Sequence, residues 1–229
     1  LVPINDAPSF TGMPSLVWAY AFNDAGVAQP LDPDNLDGDR LAQARQQHVW
    51  LWLHYDASDA RTAQAIAQLD LPEMAAETLI SHDTHVSLHL EGDTAFGVFV
   101  DWRHQRGIDP SKHSFARSEK EVGWLHFVLG EGLLVSTRRQ ALRSVEQVRQ
   151  HLNAGVRLDS ASELLEAIVE QFAASVAHAT DELGRELDQI EDRVLTDHIG
   201  EERRDLAVLR RQGVHMHRPV TALRRVLKQ

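Results

Sequence analysis

The chain contains no cysteine among its 229 residues. A disulfide framework and a thiolate metal site are therefore excluded, in keeping with a reducing compartment. No run of 18 apolar residues occurs, so no stretch has the length that a membrane helix needs. The first residues lack a basic region followed by an apolar core, and no signal peptide is expected. Motifs that carry catalysis are missing too. There is no Gly-rich phosphate loop, no His-Glu-x-x-His and no Gly-x-Ser-x-Gly. Carboxylate pairs such as Glu201-Glu202 and Asp37/Asp39 read as solvated surface, so no enzyme is expected. Basic residues are scarce: 23 Lys and Arg stand against 34 Asp and Glu, a formal charge of −11. Nucleic acid, which recruits Lys and Arg to its phosphates, does not fit that surface.

What is present is enough to build a core, since 43% of the residues are apolar. Charge is distributed in blocks. Residues 1–158 carry a net −7, residues 159–205 a net −10 and residues 206–229 a net +6. The last block holds Arg210, Arg211, Arg218, Arg224, Arg225 and Lys228 with no acidic residue between them. An acidic helix thus gives way to a basic one.

In chain order, a Pro-rich start leads to an apolar strand at 16–22 (LVWAYAF). Turn formers fill 23–46, with a helical turn over 40–46. Residues 49–55 (VWLWLHY) are apolar on both faces, the pattern of a strand covered from both sides. A helix capped by Asp56 or Ser58 is expected to run to Leu69, and Pro72 opens another, PEMAAETLI. Two hairpins follow. One joins 85–91 to 94–101 around Gly92, with Val86, Leu88 and Leu90 on one face; the other joins 122–129 to 133–137 around Gly130-Glu131-Gly132. A polar loop separates them, and a helix over 142–152 closes the first domain, expected at 1–158. Strands early and long helices late argue for an α+β fold with a mixed, largely antiparallel sheet.

Residues 159–229 read as a pair of long helices. Ser160 and Glu163 form a capping box. Apolar residues recur from Leu165 through Ile168, Phe172 and Val176 to Val194 at a spacing of about 3.6, which describes a straight helix roughly 50 Å long. Gly200 breaks it. Leu206, Leu209, Gly213, Met216, Val220, Leu223 and Leu227 then recur at about 3.5, the period of a supercoiled seam, which points to an oligomer more than to the alternative, a helix packed on its own domain. This second helix stops in mid-pattern without a cap. We expect the chain to have continued, and a basic helix end matches the cytoplasmic flank of a membrane helix.

Thirteen histidines without cysteine direct attention to metal binding. His82, Asp83 and His85 are the densest group; on a continuing helix His82 and His85 share one face and hold a zinc between them. His85 and His89 on a strand lie too far apart for one ion. His215 and His217 sit about 200° apart around a helix, so they cannot chelate one ion within a chain; across an oligomer axis either could form a ring. His126, in an apolar strand, reads as a satisfied core residue.

Four segments in this order resemble the cytosolic domain of the CorA metal-ion transporter superfamily, and in particular its zinc-transporting ZntB branch. They are VWLWLHYD, LPEMAAETLI with its polar turn, LLVSTRRQALRSVEQVR, and RRDLAVLRRQGVHMHRPVTALRRVL. The similarity covers about Trp50 to Gln229. It implies an α/β/α cytosolic funnel of five subunits, with a stalk helix leading to two transmembrane helices that this sequence does not contain. The family's Gly-Met-Asn signature, beyond the first of those helices, is correspondingly absent. The resemblance further implies a homopentamer at the cytoplasmic face of the inner membrane, no required cofactor, and zinc or another divalent cation as the transported ion. His82-Asp83-Thr84-His85-Val86 departs from the Glu-Thr-Arg-Pro-like turn of relatives, and 102–121 is longer. The alternative reading of the same residues is a soluble oligomeric helical interaction module, held by the 206–227 seam, without transport activity.

Overall fold

The computed structural model describes residues 13, 15–104, 122–195 and 202–228, apart from a few side chains that include His215. The Pro-rich start, the polar segment 105–121, the break expected at Gly200, and Gln229 lie outside them.

Seven strands form one sheet: β1 (Leu16–Phe22), β2 (Ala28–Leu31), β3 (Trp50–Asp56), β4 (Ser87–Glu91), β5 (Thr94–Trp102), β6 (Val122–Gly130) and β7 (Leu133–Arg138). Their order is β2-β1-β3-β7-β6-β5-β4. Every described pairing is antiparallel except β3 with β7, in which Leu51 faces Leu133 and Asp56 faces Arg138. The sheet is therefore mixed and largely antiparallel, as expected.

Strand β3 shows why the sheet is covered twice. Successive side chains point to opposite faces. Trp50 and Trp52 enter one apolar cluster, while Leu51, Leu53 and Tyr55 enter the other. All five are buried, and burying each large side chain contributes about 1.5–3 kcal/mol. Helices α1 (Gly38–Gln47), α2 (Thr62–Ile66) and α3 (Glu73–Ile80) cover the second face through Leu41, Ile66 and Leu79. Helices α4 (Arg143–Asn153), α5 (Ala161–Leu195) and α6 (Glu202–Val226) cover the first through Val145, Leu164, Ile168 and Met216. The result is an α/β/α layering.

Both hairpins form where expected. Gly92 and Gly132 occupy the left-handed region at φ +58° and +64°, which an L side chain rarely adopts. Three local expectations are corrected. The segment 23–46 is not a loop: it holds strand β2, a 3-10 turn at Pro33–Asn35 and the ten-residue α1, which Asp37 caps by accepting from Arg40 N–H at 2.8 Å. The helix expected from Asp56 to Leu69 is only α2, because Asp56 and Asp59 hold the preceding chain in turns; Asp59 accepts from Arg61 N–H at 2.9 Å. Leu90 does not join Val86 and Leu88 against the core but is 78% exposed.

The capping box is present in a shifted form. Ser160 Oγ accepts from Glu163 N–H at 3.1 Å, and the Glu163 carboxylate accepts from Asp159 N–H at 2.6 Å. Helix α6 folds back along α5, tied at one end by Arg193 and Asp205 at 2.8 Å. Its buried residues Met216 and Leu223 share a cluster with Trp52, Trp102 and Phe172, so the core runs from the sheet into the helix pair.

Candidate functional site

The densest meeting of charged and titratable side chains lies at the end of α3, where the chain turns from helix to strand. The helix stops at Ile80, with Ser81 in an extended conformation. The helical geometry that would place His82 and His85 on one face is therefore not formed. Instead, Asp83 organises its own turn. Its N–H donates to Ser81 Oγ at 2.9 Å, and its Oδ1 accepts from His85 N–H at 2.9 Å and from His85 Nδ1–H at 2.7 Å. These bonds, the one to His85 N–H foremost, favour the ionised carboxylate and hold Asp83 below the usual carboxylate range. His82 faces elsewhere: its Nδ1 accepts from the Arg139 guanidinium at 3.3 Å. A cation beside that nitrogen disfavours a metal ion there. Among the described residues no group of three or more His, Asp or Glu comes together to hold a metal.

Arg139, which the sequence did not single out, clamps this turn. It donates to the carbonyls of Ala57 at 2.6 Å, Ile80 at 2.8 Å and Ser81 at 3.2 Å, so the ends of β3 and α3 meet on one guanidinium. His126 completes the arrangement from β6. It is buried, as expected of a core histidine, and its Nε2–H donates to the Asp83 carbonyl at 2.9 Å. Burial pushes its pKa down, toward the neutral imidazole.

Two buried ionisable groups sit deeper. His54, fully buried on β3, stacks on Trp18 at 4.2 Å, and its Nδ1 lies 2.8 Å from Ser136 Oγ. Burial, then Arg138 and Arg149, hold its pKa well below the ordinary histidine value. Asp101, at the end of β5, caps α4 from outside that helix. It accepts from Ser144 Oγ at 2.7 Å and from Ser144 N–H at 2.9 Å. Burial raises its pKa to about 6 against the pull of these bonds. One signal for Asp101 was present in the sequence: it is the only charge in the apolar strand FGVFVDW.

The expected basic end occupies α6. Arg210, Arg211, Arg218, Arg224, Arg225 and Lys228 are all exposed along it. His217 is exposed, its ring within 3.4 Å of Thr221 Oγ1, while the side chain of His215 lies outside the described residues. The seam predicted for an oligomer is used within the chain: Met216 and Leu223 are buried, Leu209, Gly213 and Val220 half-buried, and only Leu206 and Leu227, at its ends, exposed. Among the described residues no helix is long and apolar enough to cross a membrane.

A family model described as CorA-like Mg2+ transporter protein matches residues 47–229. No curated protein sequence matches the chain. Among solved structures, full-length CmaX superposes with a TM-score of 0.74 at 20% identity, over 96% of this chain and 64% of CmaX. The soluble domain of CorA from Methanocaldococcus jannaschii gives 0.65 at 14% identity, over 93% of this chain and 78% of that one. The ZntB cytoplasmic domain from Vibrio parahaemolyticus gives 0.58 at 13% identity, over 93% of this chain and 95% of that domain. At these identities the likeness is one of fold.

Proposed function

The chain belongs to the CorA-like Mg2+ transporter family, whose model covers residues 47–229, and from that premise we propose that it is the cytosolic domain of a divalent-cation transporter at the inner membrane. The observation that carries this reading is the family match running unbroken from the central strand β3 through the basic helix α6. Helix α5 is the acidic brace and α6 the stalk, its Lys and Arg meeting the anionic inner leaflet. The acidic surface raises the local cation concentration. Zinc is the proposed ion, on the likeness to a ZntB cytoplasmic domain. The functional assembly is a homopentamer, and exposed Val208, Val214 and Leu187 on the helix pair supply apolar surface for neighbouring subunits.

The test is ion flux into proteoliposomes by the complete gene product, with zinc, magnesium and cobalt in parallel. Zinc flux supports the whole reading. Magnesium flux alone keeps the transporter and removes zinc. Absence of flux for all three removes transport. Two metal contacts are proposed within this domain: Asp83 with His85 in the exposed turn, beside His82, and His215 or His217 across subunits. Calorimetry with zinc on the wild type and on a His82→Ala, His85→Ala double variant checks the first; equal affinity sinks it.

A further inference from the structure

The one parallel pair among the described strands marks a place where a ligand site is geometrically favoured. β3 and β7 end together, at Asp56 and Arg138. The helices that follow diverge: α2 and α3 pack on one face of the sheet and α4 on the other. In open sheets a crevice forms outside the carboxyl ends of strands at such a switch point, and ligands bind there. A cavity of about 280 Å³ occupies this position, walled by the turn after α3, the residue that follows β5, the start of β6, and the end of β7.

Its lining is cationic in a molecule that is strongly acidic. Arg103 and Arg139 line it with His82 and His126; Arg138 borders it too, but its guanidinium stacks over the Trp18 ring at 5.1 Å. Among the described residues Asp83 is the one lining carboxylate, and it is already held by His85 at 2.7 Å. Arg139 is half-buried, and among the described residues its partners are three carbonyls and His82, none of them anionic. Its Nε is buried with no hydrogen-bond partner. Arg103 donates from Nε to the Val122 carbonyl at 3.1 Å, and no described carboxylate pairs with it. Guanidinium charge withdrawn from water without a counter-ion is costly, and an anion in the cavity offsets that cost.

We infer that this cavity binds a small oxyanion of the phosphate class, either free inorganic phosphate or the phosphate of a small metabolite. Inside the cavity the guanidiniums of Arg103 and Arg139 disfavour a divalent cation; the zinc contact proposed for Asp83 with His85 is on the exposed side of the turn, where His85 is 89% exposed and does not line the cavity. The planar fork of Arg matches phosphate oxygens. The volume lies just under the roughly 300–1,000 Å³ of drug-sized ligand pockets, which favours a small guest. The inference is independent of the transport reading, since it concerns this domain alone.

Calorimetry on the 229-residue chain with sodium phosphate at fixed ionic strength, in the presence of a chelator, tests it. One phosphate per chain is expected. Arg103→Met should weaken it about tenfold or more, the usual effect of losing a charge-assisted hydrogen bond, while Arg61→Met, an exposed arginine paired with Asp59 elsewhere, should not change it. Arg139→Met should also weaken binding; because Arg139 clamps three carbonyls, a far-ultraviolet spectrum checks its fold and Arg103→Met carries the decision. A parallel titration with AMP separates the sources: tighter binding than phosphate assigns a metabolite, equal or weaker binding the free ion. No binding at millimolar phosphate, or equal affinity in wild type and Arg103→Met, overturns the proposal.

Discussion

Replacing Asp101 with alanine separates two opposing effects of one buried carboxylate, and pH tells them apart. Asp101 is 1% exposed and serves as the acceptor for Ser144 Oγ, Ser144 N–H and Trp102 N–H. Removing it strands donors in a dry site, each at about 1–3 kcal/mol, and deprives α4 of its cap at about 1 kcal/mol. Against this stands the cost of burying the charge. Its folded pKa of about 6 lies above the ordinary aspartate value of 3.8. The native state therefore binds the proton more tightly than the unfolded chain does. Its contribution is fully present below about pH 4 and is lost as pH rises through 6, by roughly 3 kcal/mol over the window. Asp101→Ala lacks that dependence. The stability difference between wild type and variant should thus be largest near pH 4 and shrink by about 3 kcal/mol towards pH 7. Urea unfolding followed by tryptophan fluorescence at several pH values measures it. A difference that stays constant, or grows with pH, refutes the assignment of Asp101 as a carboxylate held against its own desolvation.

Two further outcomes are expected. His54 has a depressed pKa, from burial first and then from Arg138 and Arg149, so the unfolded chain takes up a proton below about pH 6.5 that the native state refuses, and stability is lost as pH falls below that value; its ring resonances should show no titration step at the ordinary histidine value of about 6.5, and a normal titration curve there contradicts the burial argument. Gln212, buried on α6, has neither amide atom hydrogen-bonded among the described residues; Gln212→Leu should raise the midpoint of thermal unfolding through relief of about 1–3 kcal/mol, and a lowered midpoint would mean that the amide is satisfied in solution, by water or by a neighbouring subunit.

The sequence revealed those elements whose signal is local and periodic. Strand β3 was legible because residues apolar on both faces leave no exposed side, and α5 because its apolar spacing and Ser160 cap agree. Strand β2 was not: AQPL carries a proline and a glutamine, and it forms as an edge strand only because β1 supplies a partner. The expected long helix after β3 failed because Asp56 and Asp59 compete for backbone N–H groups, an effect that helix patterning does not weigh. The site was less legible than the fold. His82, Asp83 and His85 were found by density, but the clamp on them, Arg139, lies 57 residues from His82. Nor does any spacing predict that His126 reaches the Asp83 carbonyl from another strand.

The seam of α6 shows what periodicity leaves open. A spacing of about 3.5 states that one stripe of the helix is buried; it does not name the partner. Here α5 of the same chain takes the stripe, with Met216 and Leu223 in the same cluster as Phe172 and Trp102. Trp102 also donates from Nε1 to Ser175 Oγ at 2.9 Å, so β5 is fastened to α5 by a polar bond as well as by packing. The opposite side of α6 keeps its arginines and Val208 and Val214 exposed. One face is thus committed to the domain and the other is available to a neighbour or a charged surface. Close-packed cores deform little, so a displacement of α6 must either break the Met216–Leu223 packing or carry the sheet with it. Under the proposed function, that is the physical condition for ligand state at the sheet to be felt along α6.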